Sequence, residues 1–262
     1  MEAARVLALR GHKPVIYERT DCLGGAFIAA AAESYKGKLR DLLAWYRLQM
    51  EDLDIEIHYN YEVRTVQEFG DQPVIVATGA VPRVLKGIPG HEKMIEACEF
   101  LLSEPGAVEA VGHDFETAPV GASIVGTTVA VIGGGLTGCE IAYELQLQGK
   151  KPLIVEMLDD LIKQKGVCLA NSSYLREYFA WKKVPVYLET RLTEVKDGAI
   201  VCENKDGESF EIPCDSVISC AGYLPAPLGT AGKKNVQIIG DCRSVGNLRS
   251  VIWGAYEAAM KV

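Results

Sequence analysis

No Cys-x-x-Cys pair occurs among the 262 residues, although eight cysteines are present. Without paired thiols the chain is a poor candidate for a redox-active dithiol, and it lacks the clustered thiolates of a dedicated iron–sulfur site. Scattered cysteines also argue against a disulfide framework and for a reducing, cytoplasmic setting. No apolar run approaches the roughly twenty residues of a membrane span, so no membrane association is expected. No stripe of Lys or Arg stands out among 27 basic residues set against 35 acidic ones. The net charge of −8 reads as solubility, and nucleic acid is not an expected partner. The first ten residues carry Glu2 and Arg5 in a helical pattern, which does not match a secretory signal. No metal site is expected.

What is present is glycine in one telling place. The stretch Val129-Ala-Val-Ile-Gly-Gly-Gly-Leu-Thr-Gly138 precedes a helical run at 139–148 and a strand at 153–156. Four apolar residues at 129–132 read as a buried parallel strand. Gly133, Gly135 and Gly138 fill a G-x-G-x-x-G turn, and Glu156 follows eighteen residues after the last glycine. In a strand–loop–helix–strand context this is a dinucleotide-binding fingerprint. The first glycine permits the tight turn, and the second lets backbone N–H groups approach a pyrophosphate. The third lets helix and strand pack closely, so the helix N-terminus faces the negative charge. Leu136 and Thr137 sit inside that loop. Glu156 is placed to accept hydrogen bonds from a ribose 2′-OH and to repel a 2′-phosphate, which favours NADH over NADPH.

The same unit occurs twice. At an offset of 138, Glu2, Ala4, Leu7, Leu9, Gly11, Lys13, Pro14, Ile16 and Glu18 match Glu140, Ala142, Leu145, Leu147, Gly149, Lys151, Pro152, Ile154 and Glu156. Nine identities in eighteen positions argue for an internal repeat of one supersecondary unit. Met1 aligns with Cys139, so the first copy lacks its opening strand and whole glycine loop. The expectation is a C-terminal fragment of a longer polypeptide.

Along the chain, 1–10 reads as a helix ended by Gly11, and 14–18 as a strand that gives Glu18 the ribose role. Gly24 and Gly25 allow close approach of a ligand, while Cys22 reads as a packed bystander. Residues 35–51 read as an amphipathic helix with Leu39, Leu42, Leu43 and Tyr46 on one face; Trp45 and Tyr46 read as core packing, with cover for a flavin or partner surface as the alternative. Residues 55–59 and 61–66 read as extended, and 73–77 as a buried strand leading into Thr78-Gly79. Residues 103–126 read as a connection between domains. A helix is expected at 172–182. Strands at 184–188, 191–195, 199–202 and 209–212, with turns at Asp197-Gly198 and Asp206-Gly207, predict an antiparallel meander. A strand at 215–220 ends in Ala221-Gly222, echoing Thr78-Gly79. A last strand at 236–239 enters Gly240-Asp241, before a helix at 247–260 whose N-terminus can stabilise negative charge on a reduced flavin.

Taken together, Val15-Ile-Tyr-Glu18, Leu23-Gly-Gly25, Val76-Ala-Thr-Gly79, the loop ending at Gly138, Cys220-Ala-Gly222 and Ile239-Gly-Asp241 resemble the two-dinucleotide-binding flavoprotein reductases. Met1-Glu-Ala-Ala-Arg-Val, Leu23-Gly-Gly-Ala-Phe27 and Gly135-Leu-Thr-Gly-Cys-Glu140 look like the C-terminal half of the 2-enoate reductase and 2,4-dienoyl-CoA reductase group. The resemblance implies an α/β fold of two Rossmann-like domains, the second inserted in the first. The implied division is 1–104 with 215–262 as an N-terminally truncated FAD-type domain, and 105–214 as an NAD(H)-binding domain. It implies FAD contacts from Glu18, Arg19, Gly24, Gly25, Val63, Thr78, Gly79, Gly240 and Asp241. NADH contacts are implied for Gly133, Gly135, Leu136, Thr137, Gly138 and Glu156, with Ala221 and Gly222 near the nicotinamide. FMN and an iron–sulfur cluster are implied only for an upstream barrel domain of the same polypeptide, and a homo-oligomer is compatible. The implied activity is an electron-input module that passes hydride from NADH to FAD and feeds reduction of activated C=C bonds. Orientation and electrostatics are the protein's part in such chemistry, so no catalytic proton donor is named. The alternatives are a free-standing NADH:acceptor reductase acting on a quinone or ferredoxin, and a non-catalytic nucleotide-binding module.

Overall fold

The computed structural model describes residues 1–103, 121–230 and 232–262. In chain order the elements are α1 (Glu2–Leu9), β1 (Val15–Tyr17), α2 (Ala26–Ala30), α3 (Gly37–Asp52), β2 (Glu56–His58), β3 (Val74–Val76) and β4 (Ala80–Pro82). Next come β5 (Ile95–Glu96), α4 (Ala97–Leu102), β6 (Thr128–Ile132), α5 (Leu136–Leu147), β7 (Lys151–Val155), α6 (Leu169–Lys182) and β8 (Val186–Tyr187). The remainder is β9 (Thr190–Lys196), β10 (Ala199–Asn204), β11 (Ser209–Pro213), β12 (Ser216–Ser219), β13 (Tyr223–Pro225), β14 (Val236–Ile238) and α7 (Leu248–Ala259).

The chain divides into two compact units. One comprises Met1–Ile28, Lys38–Val81 and Tyr223–Val262; the other comprises Ala29–Gly37 and Pro82–Gly222. This differs from the division expected from sequence. Residues 82–103 and 215–222 pack with the second unit because β5 and β12 are strands of its sheet, and residues 29–37 pack with it through Ser34 and Lys36 on α5. Most of the connection expected at 103–126 lies outside the described residues.

The second unit is built on a parallel sheet of order β5-β12-β6-β7-β8. β6 lies at its centre, with Val129, Ala130 and Val131 wholly buried. Alternation sends its side chains to two different cores. Val129 and Val131 pack with Cys139, Ile141, Ala142 and Leu145 of α5 and with Phe100, Leu175 and Phe179. Ala130 and Ile132 pack with Leu192, Val195, Ile200, Cys202 and Ile212 of an antiparallel meander of order β11-β10-β9. The meander was expected to include 184–188 as well. That segment instead supplies β8, which runs parallel to β7 with Ile154 opposite Val186.

The first unit repeats part of this plan. β1 pairs with β2 in parallel register, Ile16 opposite Ile57, as β7 pairs with β8. β3 pairs in parallel with β14, Ile75 opposite Gln237. By the repeat, β1 stands for β7. β3, which leads into Thr78-Gly79, stands for β12, which leads into Ala221-Gly222. In the second unit β6 fills the place between those two strands. Among the described residues the first unit has no strand there, and no glycine loop follows it. The side chains register the difference. Val15 and Tyr17 are 41% and 37% exposed, whereas their repeat partners Leu153 and Val155 are 4% and 2% exposed.

Other expectations in this unit fare differently. α1 ends as expected, with Gly11 at φ 88°. α3 buries Leu43 and Tyr46, joined by Arg40 and Met50. Residues 61–66 form no strand. Thr65 and Glu68 make a capping box that opens a single 3-10 turn, Val66–Phe69. No helix among the described residues is long and apolar enough to cross a membrane.

One-sided pairing leaves backbone amides less protected than two-sided pairing. In hydrogen-exchange mass spectrometry, peptides containing Val15–Tyr17 and Val74–Val76 are expected to exchange roughly tenfold or more faster than those containing Thr128–Ile132. Equal protection would contradict the open edges.

Candidate dinucleotide-binding site

Three backbone segments meet where β6 turns into α5. A Cβ on Gly138 would lie 1.9 Å from the carbonyl oxygen of Gly133, and one on Gly133 would lie 2.5 Å from the carbonyl oxygen of Cys220. Gly133 also takes φ 110°, in the region that favours glycine. Hydrogen bonds from Gly133 N–H to Val155 O (2.9 Å) and from Cys220 N–H to Ile132 O (2.8 Å) tie the crossing to both neighbouring strands. Gly135 is the N-cap of α5 and contributes no side-chain cap, so the first amides of the helix face the loop. Their partial positive charge suits a pyrophosphate.

Glu156 stands at the end of β7, beside this loop. Its Oε2 accepts from Gly134 N–H at 2.6 Å and its Oε1 from Leu158 N–H at 2.8 Å. A carboxylate has about four acceptor sites, so both oxygens retain capacity for a ribose hydroxyl. Leu136 N–H donates to Gln164 Oε1 at 3.2 Å. Ala221 is half-buried, and Gly222 takes φ 87° while its carbonyl accepts from Arg83 N–H at 2.9 Å. Thr137 is half-buried within the loop. The second unit thus brings Gly133, Gly135, Leu136, Thr137, Gly138 and Glu156 into one small region.

The expected FAD residues all lie in the first unit. Glu18 Oε1 accepts from Thr20 N–H (2.9 Å) and Thr20 Oγ1 (2.8 Å), which closes the turn after β1. Arg19 is exposed. Gly24 and Gly25, at φ 139° and 52°, open α2, and Arg47 Nε donates to Leu23 O at 2.9 Å to hold that turn. Val63 is half-buried in the irregular stretch after β2. Thr78 Oγ1 donates to Ala226 O at 2.7 Å, and Gly79 takes φ 76°. Asp241, after Gly240 at φ 63°, accepts from Gly246 N–H at 3.0 Å and so caps the turn before α7. Beside it a cleft of about 780 Å³ is lined by Ile238, Gly240, Cys242, Ser250 and Gly254 among others.

Sequence reasoning missed a buried ionic cluster in the second unit. Lys36 Nζ lies 3.1 Å from Glu33 Oε2 and 2.8 Å from Glu140 Oε2. One turn further along α5, Glu144 Oε2 accepts from Ser34 Oγ (2.7 Å) and Ser34 N–H (3.1 Å). Glu33 and Glu144 are each 1% exposed. Burial pushes the Glu33 carboxyl up to about 7 against the attraction of Lys36, with Glu140 adding to the rise. Burial works against the charge on Lys36, but the two carboxylates outweigh it and hold the ammonium above its ordinary value. The sequence signal was Glu33 with Lys36 three residues on, directly after the four alanines at 29–32. The thiols of the second unit beside this cluster are quiet: burial pushes Cys139 up to about 12 and also raises Cys220.

This geometry defines the class as Rossmann-type dinucleotide-binding domains. The chain belongs to the pyridine nucleotide-disulphide oxidoreductase family, whose model matches residues 1–243. It is 34% identical to the cinnamate reductase of Clostridium sporogenes over 269 residues, covering 100% of this chain and 37% of that one. It is 27% identical to the NADH oxidase of Thermoanaerobacter brockii, covering 100% of this chain and 39% of that one. A solved complex of 2-naphthoyl-CoA reductase shares the fold, with a TM-score of 0.81 at 23% identity over 100% of this chain and 38% of the other. The chain therefore spans less than two-fifths of the length of each of these proteins.

Two outcomes check the site. Gly138→Ala is expected to destabilise the chain by about 1–3 kcal/mol through the clash with Gly133. Gly254→Ala, in α7 with no atom within 4 Å of the added carbon, is expected to stabilise by about 0.5–1 kcal/mol. Urea unfolding of both variants reads the opposite signs. For Glu33, the folded value near 7 is raised from 4.5, so its contribution is fully present below about 4.5 and is lost as pH rises through about 7. The stability of Glu33→Gln relative to the parent should therefore increase between pH 5 and pH 8, by roughly 1–3 kcal/mol. A pH-independent difference would refute the assignment.

Proposed function

We propose that this chain is the NADH-oxidising, electron-input part of a flavoprotein that reduces activated C=C bonds. The observation that carries the reading is the close passage of Gly138 over Gly133 and of Gly133 against the Cys220 carbonyl, with Glu156 bonded to the same loop. That cradle fits a pyridine dinucleotide: a Cβ would fill the close approach, the α5 amides suit the pyrophosphate, and Glu156 suits an unphosphorylated ribose. In the reaction class, NADH supplies a hydride that a flavin accepts and hands on as electrons. The residues of this loop would bind the nucleotide, orient it and exclude its 2′-phosphorylated analogue.

The fit to FAD is only partial. Glu18, Gly24, Gly25, Thr78, Gly79 and Asp241 stand on one unit, but that unit has no strand or glycine loop between β1 and β3 among the described residues. The flavin pyrophosphate would therefore need residues other than those described in this unit. The family membership and the likeness to the cinnamate reductase and NADH oxidase support a flavin partner. FMN, an iron–sulfur cluster and the acceptor site belong, in this proposal, to an upstream barrel domain of the same polypeptide.

The edges of β1 and β3 that no strand covers among the described residues favour a second reading for the chain on its own, as a nucleotide-binding module without turnover. The visible absorption spectrum and NADH:acceptor turnover after addition of FAD separate the two readings. Bound flavin with turnover supports the first, and NADH binding without either supports the second.

Selectivity is the sharper test of the cradle. NADPH should bind at least about tenfold more weakly than NADH, because the added phosphate meets the Glu156 carboxylate. Glu156→Gln removes the charge while keeping an acceptor for Gly134, and should narrow that ratio several-fold in calorimetric titrations. An unchanged ratio would sink the role given to Glu156.

A further inference from the structure

The segment that follows β7 folds back over the glycine loop. Ile162 N–H donates to Gly134 O at 2.8 Å, and a Cβ on Gly134 would lie 2.5 Å from Leu161 Cδ2. Arg176 of α6 fastens the segment from the other side, with its Nε 3.0 Å from Asp160 Oδ1 and its NH2 group bonded to Leu161 O. Ile162 takes φ 51°, the left-handed region that β-branched residues avoid, and it is buried. Such a conformation persists only where surrounding contacts impose it. These contacts fix the course of the chain through Ile162, two residues before Gln164.

Gln164 then reaches the loop with its side chain. Its Oε1 accepts from Leu136 N–H, the first amide of α5, at 3.2 Å. The same atom lies 3.2 Å from where a Cβ on Gly135 would be. Thus a neutral carbonyl oxygen stands at the helix end, on a donor that a bound pyrophosphate would use. Gln164 is itself exposed, so its side chain can rotate into solvent without opening a core.

We propose that Gln164 is a gate on the pyridine-nucleotide site: its carboxamide oxygen holds the Leu136 amide in the free protein and leaves when the pyrophosphate arrives. The proposal rests on the reading of this loop as an NADH site. The exchange replaces one neutral hydrogen bond with a charge-assisted one, so it is favourable overall but lowers the net affinity. Removing the occupant should tighten binding. Replacing it with a carboxylate should hold the amide more firmly and repel the diphosphate.

The test is calorimetric titration of the whole chain with NADH, for the parent, Gln164→Ala and Gln164→Glu. The exposed position keeps folding out of the comparison. The expected result is about three- to tenfold tighter binding for Gln164→Ala and more than about tenfold weaker binding for Gln164→Glu. In the absence of nucleotide, amide exchange at Leu136 should also be faster in Gln164→Ala than in the parent. Affinity that is unchanged or weakened in Gln164→Ala overturns the gate and leaves the NADH reading standing. Absence of NADH binding in all three proteins overturns that reading and the gate with it.

Discussion

The structure of the second unit depends on a single constraint: there is no room for a side chain where Gly138 passes Gly133. Interiors are packed to crystal-like density, so an intrusion of even one methyl group has to be absorbed by moving backbone. Here the backbone that would move is the loop between β6 and α5, which is also bonded to β7 through Gly133 and abuts β12 through Cys220. The close approach therefore sets where α5 begins relative to three strands at once. The amides at the start of that helix and the carboxylate at the end of β7 meet only because of it.

The internal repeat shows how far context decides what a sequence becomes. Val15-Ile-Tyr and Leu153-Ile-Val occupy equivalent positions in two copies of one helix–strand unit, and both form parallel strands with a single successor strand. In one copy a central strand lies on the other side, and all three side chains are buried. In the other copy that neighbour is missing among the described residues, and Val15 and Tyr17 remain partly exposed. Tyr17 instead stacks on His58, with ring centroids 4.9 Å apart, and touches Tyr61 and Phe69. Local propensity makes the strand, and the partner strand decides whether it becomes core.

Much of this was legible because its signals are local. The apolar run of β6, the glycines after it, Glu156 at the end of β7 and Gly11 after α1 are each dictated by nearby backbone geometry. What was not legible depends on partners distant in sequence. Val186-Tyr187 looks like the first strand of the meander, yet it completes the parallel sheet because β7 offers it an open edge. Ser216–Ser219 follows the meander closely but pairs with β6, which moves the boundary between the units. Residues 61–66 have strand-forming composition, but Thr65 and Glu68 satisfy backbone donors locally and start a turn instead. Glu18 and Asp241 were read as ligand contacts, and both also hold turns through backbone N–H groups.

The buried charges add a reason why Ala29–Gly37 belongs to the second unit. α5 presents Glu140 and Glu144 one turn apart, which places both on the same face. Lys36 meets the first, and Ser34 meets the second through its hydroxyl and its amide. Adding Glu33 makes two carboxylates on one ammonium, an arrangement that apolar packing would replace at little cost or at a gain in stability. Its physical effect lies in register: a slip of the segment by one residue would leave a buried charge without its counter-ion, a far larger penalty than the loss of an apolar contact. The same helix that offers its amides to the glycine loop therefore fixes this crossing segment with its side chains. The loop and the segment are positioned by one rigid element, and a displacement of α5 would disturb both together.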